Sequence, residues 1–188
     1  ITAPENVAWL LNLRGKDNPH SPVPKSRLIL KNNGKLYLFV NKSKIQKLII
    51  KKNISKIEVI DESKINNFLK NLVSKKIILD RLSCSLAYTN ILKKNINISN
   101  KNDPIYNMKS IKNGIEIKNF IKSHIFDGVA LIKFLYWIKS YKKKLSELSA
   151  EKKLSFFRKK NKNYLFPSFN TISASGPNGA IIHYRVNK

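Results

Sequence analysis

One cysteine, one methionine and eleven acidic residues are all that this chain of 188 residues contains of those types. A lone Cys84 rules out an internal disulfide and any cysteine-built zinc site. Set between Ser83 and Ser85, it reads as a small core residue and not as a nucleophile. Long apolar runs are missing too. Nothing approaches the ~20 residues needed to span a bilayer, and no secretory leader is visible. The expectation is a reducing, cytoplasmic setting with no membrane partner. Glycine is scarce, with six residues, two of which fall in one short segment near the C-terminus. The chain opens on Ile1 rather than Met, and Lys188 follows directly on a strand-like segment, so the reading expects an internal fragment.

What is abundant is positive charge. Thirty-seven Lys and Arg against eleven Asp and Glu give a formal net charge of +26. That balance invites a nucleic-acid reading. Arginine, however, occurs only at Arg14, Arg27, Arg81, Arg158 and Arg185. Phosphate and base readout recruits arginine for its planar, bidentate fork, and the excess here is lysine. Lysine, asparagine and isoleucine are used together, as in proteins of A/T-rich genomes. No aromatic residues alternate with a basic stripe as single-strand binders require. Nucleic acid is therefore disfavoured as a partner. A lysine-rich nucleic-acid-binding module stands as the alternative from another class.

A hydrophobic fraction of 42% suits a globular chain able to bury a core. Val7 to Leu13 is an apolar segment closed by Gly15 and preceded by a turn at Pro4-Glu5-Asn6. Leu28–Leu30 and Leu36–Val40 flank Asn32-Asn33-Gly34, which predicts a β-hairpin over 26–40. Ile45, Leu48 and Ile49 have helical spacing, and Ile57–Val59 reads as a strand. Asp61-Glu62-Ser63 caps a helix bearing Ile65, Phe68, Leu69 and Leu72. Lys76–Asp80 is a strand, Ser83–Lys93 a helix, and Asn95–Asn102 a polar stretch without a strand. The fold class expected is α/β (α+β), a mixed sheet with helices. Asp61 and Asp80 end strands, where nucleases of ribonuclease H type keep carboxylates. No third acid is suitably placed, so both are read as cap and turn residues.

The boundary between two domains is placed at 103/104, where Asp103-Pro104 stops a helix from forming at Asp103. Beyond it, Ile117, Phe120, Ile121, Ile125, Val129, Ile132, Leu135, Trp137 and Ile138 recur at helical spacing and predict one long helix with a broad apolar face. Gly128 within it implies close packing, and His124 is read as a structural residue at the edge of the helix. A second helix is expected with Ser149 as N-cap and Glu151 in its first turn, burying Leu154 and Phe157. Phe166 to Arg185 then reads FPSFNTISASGPNGAIIHYR. Phe169 to Ser173 has strand character, Gly176-Pro177-Asn178-Gly179 forms a tight turn, and Ala180-Ile181-Ile182 is an apolar step leading to His183.

That string resembles the opening of the catalytic domain in the aminopeptidase P group of Xaa-Pro aminopeptidases, creatinase-like "pita-bread" metallopeptidases. The resemblance rests on Phe169, Thr171-Ile172-Ser173, Gly176-Pro177-Asn178, Ala180 and His183-Tyr184. Two further stretches match in order. AWLLNLRG from Ala8, with Asp17 and Pro22-Val23, resembles the start of the second domain of the larger enzymes. MKSIKN from Met108, running on to HIFDGVALIKFLYWI, resembles the first pita-bread helix, with Ser110 and Asn119 departing from the usual small residues.

The resemblance implies a non-catalytic α/β domain over 1–103 and the start of a pita-bread domain over 104–188. It implies removal of an N-terminal residue preceding proline, two divalent metal ions (Mn or Zn), and a homodimeric enzyme. His183 is expected to bind substrate, with Asn178 and the adjacent glycines shaping its turn. The family's metal ligands, two Asp, one His and two Glu, are expected downstream of His183-Tyr184. Glu147 and Glu151 are read as solvent-facing helix-start residues, so no metal ligand and no catalytic residue is assigned in this chain. The fragment alone is expected to be inactive. A non-catalytic creatinase-like interaction domain is the third reading.

Overall fold

A computed structural model describes residues 1–45 and 57–186. The chain divides into two compact units, residues 1–111 and residues 112–188. In the first unit, helix α1 (Pro4–Leu10) begins with proline at its first turn. Residues 4–6 are thus helix and not a preceding turn, because proline's missing N–H costs nothing at a helix start. Strands β1 (Ser26–Leu30) and β2 (Leu36–Val40) form the expected hairpin, with Leu30 opposite Leu36. Gly34 takes φ +80°, which is why Asn-Gly stands at this turn. Strand β3 (Ile57–Ile60) adds parallel to β2, giving the mixed order β1-β2-β3. Leu48 and Ile49, expected on a helix, lie outside the described residues.

Alternation along the hairpin feeds two cores. Leu28, Leu38 and Val40 point to one face and pack with Val7, Leu13 and Ile45. On the other face the Phe68 ring meets Tyr37 and Phe39 at centroid distances of 4.9 and 5.1 Å. Phe68 belongs to helix α2 (Ile65–Lys70), which follows a 3₁₀ turn (Glu62–Lys64) capped by the Asp61 carboxylate. Ile29, next to Leu28, joins the second cluster of Leu69, Leu79, Leu92 and Ile96. That cluster lies among α2, strand β4 (Lys76–Leu79), helix α3 (Leu86–Leu92) and strand β5 (Asn97–Asn100).

Strand β5 corrects the expectation of a strand-free stretch over 95–102. Its polar residues follow no alternation of their own. It forms because β4 offers a parallel edge, with Ile98 opposite Ile77 and Ile96 buried just before it. Helix α4 (Ile105–Ser110) completes the unit and packs against α1. A buried polar chain runs through that junction. Asn6, with no exposed surface, donates to Asp103 Oδ2 at 2.8 Å and accepts from Lys109 Nζ at 2.7 Å. The Asp103 N–H donates to Asp80 Oδ2 at 3.2 Å, while Asp80 Oδ1 accepts from the Leu82 N–H at 2.9 Å and so holds the turn after β4, as its strand-end position implied.

The second unit begins with the long helix α5 (Gly114–Ser140), started by a capping box between Asn113 and Glu116. Helix α6 (Glu147–Lys159) packs against it. The cap of α6 is Ser146, with Ser149 at the third helical position closing a capping box. The assignment of Ser149 as N-cap is therefore shifted by three residues, and the acid in the first turn is Glu147, not Glu151. Arg158 grips Asp127 through two hydrogen bonds of 2.7 and 3.0 Å. With buried Ala130 and half-buried Phe134 and Trp137, Asp127 marks the stripe of α5 that meets α6. Of the expected apolar face, the residues from Ile117 to Leu135 form a different stripe and are exposed, whereas Trp137 and Ile138 at its end are half-buried. Nor is Gly128 closely packed: a Cβ there would meet nothing within 4 Å among the described residues. Among those residues no helix is long and apolar enough to cross a membrane.

Candidate functional site

The segment 166–186 holds no strand, contrary to the strand expected over 169–173. β-branched residues favour a strand only where a neighbouring edge can take their backbone hydrogen bonds. Here the bonds of the segment go elsewhere. Ser173 Oγ donates to the Glu147 backbone carbonyl at 2.9 Å, and the Ser175 N–H donates to Glu147 Oε1 at 2.6 Å. Residues Gly176–Ala180 then form a 3₁₀ turn with Pro177 in its first positions. Gly176 enters it at φ +54°, a left-handed conformation that glycine adopts without a Cβ clash. The apolar step that follows is not buried: Ile181 and Ile182 are 54% and 85% exposed.

His183 is exposed and sits in a tight turn with φ +55°. A left-handed backbone is uncommon for residues other than glycine, although histidine is among those that tolerate it best. It costs about 1–2 kcal/mol and persists where the surroundings impose it. On one side the turn is closed by the Tyr184 N–H donating to the Ile181 carbonyl at 3.2 Å. On the other, the Tyr184 hydroxyl donates to Glu147 Oε2 at 2.8 Å. Asn178 Nδ2 reaches both Glu147 oxygens at 3.2 Å and the Tyr184 hydroxyl at 3.0 Å. One carboxylate at the start of α6 thus gathers residues 175, 178 and 184, and the backbone carbonyl of the same glutamate holds Ser173.

The charge state of this hub follows from its donors. Desolvation alone would raise the Glu147 carboxyl, but hydrogen bonds from Tyr184, Ser175 and Asn178 outweigh it and hold the group below the usual carboxylate value. The Tyr184 phenol is raised, first by its hydrogen bond to Glu147 and then by desolvation, because that bond needs the phenolic proton. Glu147 is therefore ionised and occupied near neutral pH. Reading it as an idle solvent-facing acid misses this role. A carboxylate beside a helix N-terminus looks in sequence like a companion of the helix dipole, and no spacing rule links it to residues 28–37 positions away.

Other candidates are structural in their contacts. His124 Nδ1 pairs with the Phe120 carbonyl at 2.9 Å, and its ring lies 4.3 Å from the Phe120 ring. Asp61 accepts from Ser63 and caps the 3₁₀ turn before α2. Cys84 is half-buried beside Thr89. Among the described residues no three His, Cys, Asp or Glu side chains come together in a way that could hold a metal ion.

The model of the creatinase/prolidase N-terminal domain matches residues 1–116. The chain belongs to that family. Residues 118–188 match the model of metallopeptidase family M24. A Xaa-Pro aminopeptidase of Drosophila melanogaster, ApepP, is 37% identical over all of this chain and 32% of the fly protein. Xaa-Pro aminopeptidase 1 of Dictyostelium discoideum is 37% identical over 98% of this chain and 30% of its own length. A probable Xaa-Pro aminopeptidase P of Laccaria bicolor is 33% identical over 98% of this chain and 30% of its own length. The chain thus spans about a third of the length of the curated relatives it matches. The creatinase N-terminal match followed by the start of an M24 match bears out the resemblance and the α/β class read from the sequence motifs.

Proposed function

We propose that this chain is part of a metal-dependent Xaa-Pro aminopeptidase, which releases the N-terminal residue of a peptide whose second residue is proline. Residues 1–103 are its second, non-catalytic α/β domain, and residues 104–188 begin its pita-bread domain. The observation that carries this reading is the similarity to Xaa-Pro aminopeptidases along the whole chain, at 37% identity for two relatives. The residues described do not assemble a metal site. In this reading, as the family resemblance implies, the divalent ions of such an enzyme, manganese or zinc, are held by ligands that these residues do not supply, and no step through them is drawn here.

What this chain contributes is His183. An exposed imidazole on a turn of restricted backbone can hydrogen-bond a peptide substrate or the oxyanion that develops as its scissile carbonyl is attacked. Asn178 and the flanking glycines shape the turn that presents it. The same proposal takes the whole enzyme to be a cytoplasmic homodimer.

The test uses the full-length protein with Mn²⁺ and a pair of peptides, Xaa-Pro and Xaa-Ala. Cleavage of the Xaa-Pro peptide alone is expected. The His183→Ala enzyme should lose about tenfold or more in kcat/KM, the order of one hydrogen bond to a developing charge. Equal cleavage of both peptides would remove the substrate assignment, and an unaffected His183→Ala enzyme would remove the role of His183. Residues 1–188 alone are expected to show no hydrolysis; robust turnover by them would refute the placement of the metal ligands.

A further inference from the structure

His183 could do its work only if its ring is held in place, and its own turn does not explain what holds it. The residue stands at φ +55° between two exposed neighbours, Ile182 and Arg185, and the partly buried Tyr184. Exposed turns of this length are free to relax unless something outside them imposes the conformation. The bonds that tie this segment down converge on the Glu147 carboxylate. Tyr184, which follows His183 directly, donates its hydroxyl proton to Oε2. Asn178, in the 3₁₀ turn that precedes the histidine turn, donates to both oxygens. Ser175 supplies a backbone N–H at the entrance of the same segment. Glu147 itself is fixed as the first residue of a capped helix, which is anchored to α5 by the Arg158–Asp127 pair. A rigid helix thus controls both ends of the segment carrying His183.

We propose that Glu147 is a positioning residue for His183: its carboxylate, through Tyr184, Asn178 and Ser175, imposes the backbone conformation that aims the imidazole at the substrate. The inference rests on the reading of His183 given above. Glu147 touches no substrate in this account. Its three kinds of donor leave it no acceptor capacity facing outward, and replacing one oxygen by an NH₂ group sets donor against donor.

The experiment is a mutant cycle in the full-length enzyme on an Xaa-Pro peptide, using Glu147→Gln, Tyr184→Phe, His183→Ala and the double variant Glu147→Gln/His183→Ala. Glu147→Gln should lower kcat/KM by about 10- to 100-fold, the scale on which misplacing a catalytic-site group by an ångström acts. Tyr184→Phe, which removes a single hydroxyl, should lower it in the same direction by less. With His183 already alanine, Glu147→Gln should cost no more than about twofold, since a residue acting through another is non-additive with it. The His183 imidazole resonances should move in Glu147→Gln and Tyr184→Phe alike. If both single variants keep kcat/KM within about twofold of wild type, or if the losses add fully, the inference is overturned. Should Glu147→Gln fail to fold, Tyr184→Phe and its own double variant with His183→Ala decide by the same criterion. A loss in His183→Ala without a loss in the other single variants leaves the reading of His183 standing and sinks only the role of Glu147. No loss in His183→Ala sinks both.

Discussion

In residues 1–111 the side chains of Phe39, Leu28 and Leu38 are each 1% exposed, whereas in residues 112–188 the buried apolar residues among those described are the small Ala130 and Ala150. The first unit surrounds a three-stranded sheet with helices on both faces and buries side chains of every size. The second joins two helices along a narrow stripe and holds the segment after them by hydrogen bonds to one glutamate, Glu147. Burying large apolar groups is worth about 1.5–3 kcal/mol each, while a hydrogen bond exposed to water returns about 1 kcal/mol or less. Residues 1–111 are thus held together chiefly by apolar burial. The M24-like part relies more on polar contacts: two capping boxes, the Arg158–Asp127 pair and the bonds to Glu147.

The largest effect that could break this contrast is expected at the sheet. Phe39 packs edge-on to Phe68 at 5.1 Å and has no access to water. Phe39→Ala should destabilise residues 1–111 by about 3–5 kcal/mol, read as a fall in the urea midpoint of that unit. A loss below about 1 kcal/mol would mean that the sheet is not the organising core. Next comes the polar chain beneath α1. Asn6→Ala removes both the donor to Asp103 Oδ2 and the acceptor for Lys109 in a fully buried place. The expected cost is about 1–3 kcal/mol, above the ordinary loss for a surface amide, and equilibrium denaturation measures it.

How far these features could be read from sequence depended on whether their cause is local. Asn33-Gly34 needs only its own backbone preference to turn a hairpin, and Asp61 needs only Ser63 to cap the turn before α2. Both were legible. Strand β5 was not, because Asn97–Asn100 becomes a strand only through the edge that β4 presents. The helix α5 was visible in its apolar periodicity. Which side of it packs was not: the decisive partner, Arg158, lies 31 residues from Asp127. The same limit hid the role of Glu147. The motif ending in His183-Tyr184 was recognisable as a string, and its strand character misled because Ser173 and Ser175 bond to a helix start instead of a neighbouring strand.

In the second unit the contrast can be sharpened with substitutions that would be costly in the first. Gly128 lies inside α5, and apart from the helix's own backbone no atom of the described residues comes within 4 Å of the place of a Cβ. Gly128→Ala should therefore stabilise this chain by about 0.5–1 kcal/mol, the difference in helix propensity and unfolded-state entropy. A destabilising result would show that a neighbour crowds that turn of the helix.

The smallest effect is expected on the exposed stripe of the same helix. Ile132 is 67% exposed, so truncating it gives up little that was buried. An isoleucine-to-alanine change in a core costs about 2–5 kcal/mol, through lost transfer energy and the cavity left behind. On this stripe neither contribution is available, and alanine's better helix propensity offsets part of the remainder. Ile132→Ala should leave the stability of this chain within about 0.5 kcal/mol. The same substitution in a longer protein containing this chain is the informative control. If the cost rises there toward the core range, another part of that protein covers the stripe. If it stays small there too, α5 presents an apolar surface to solvent, and the two units differ in how they are stabilised and not merely in how much of each is covered.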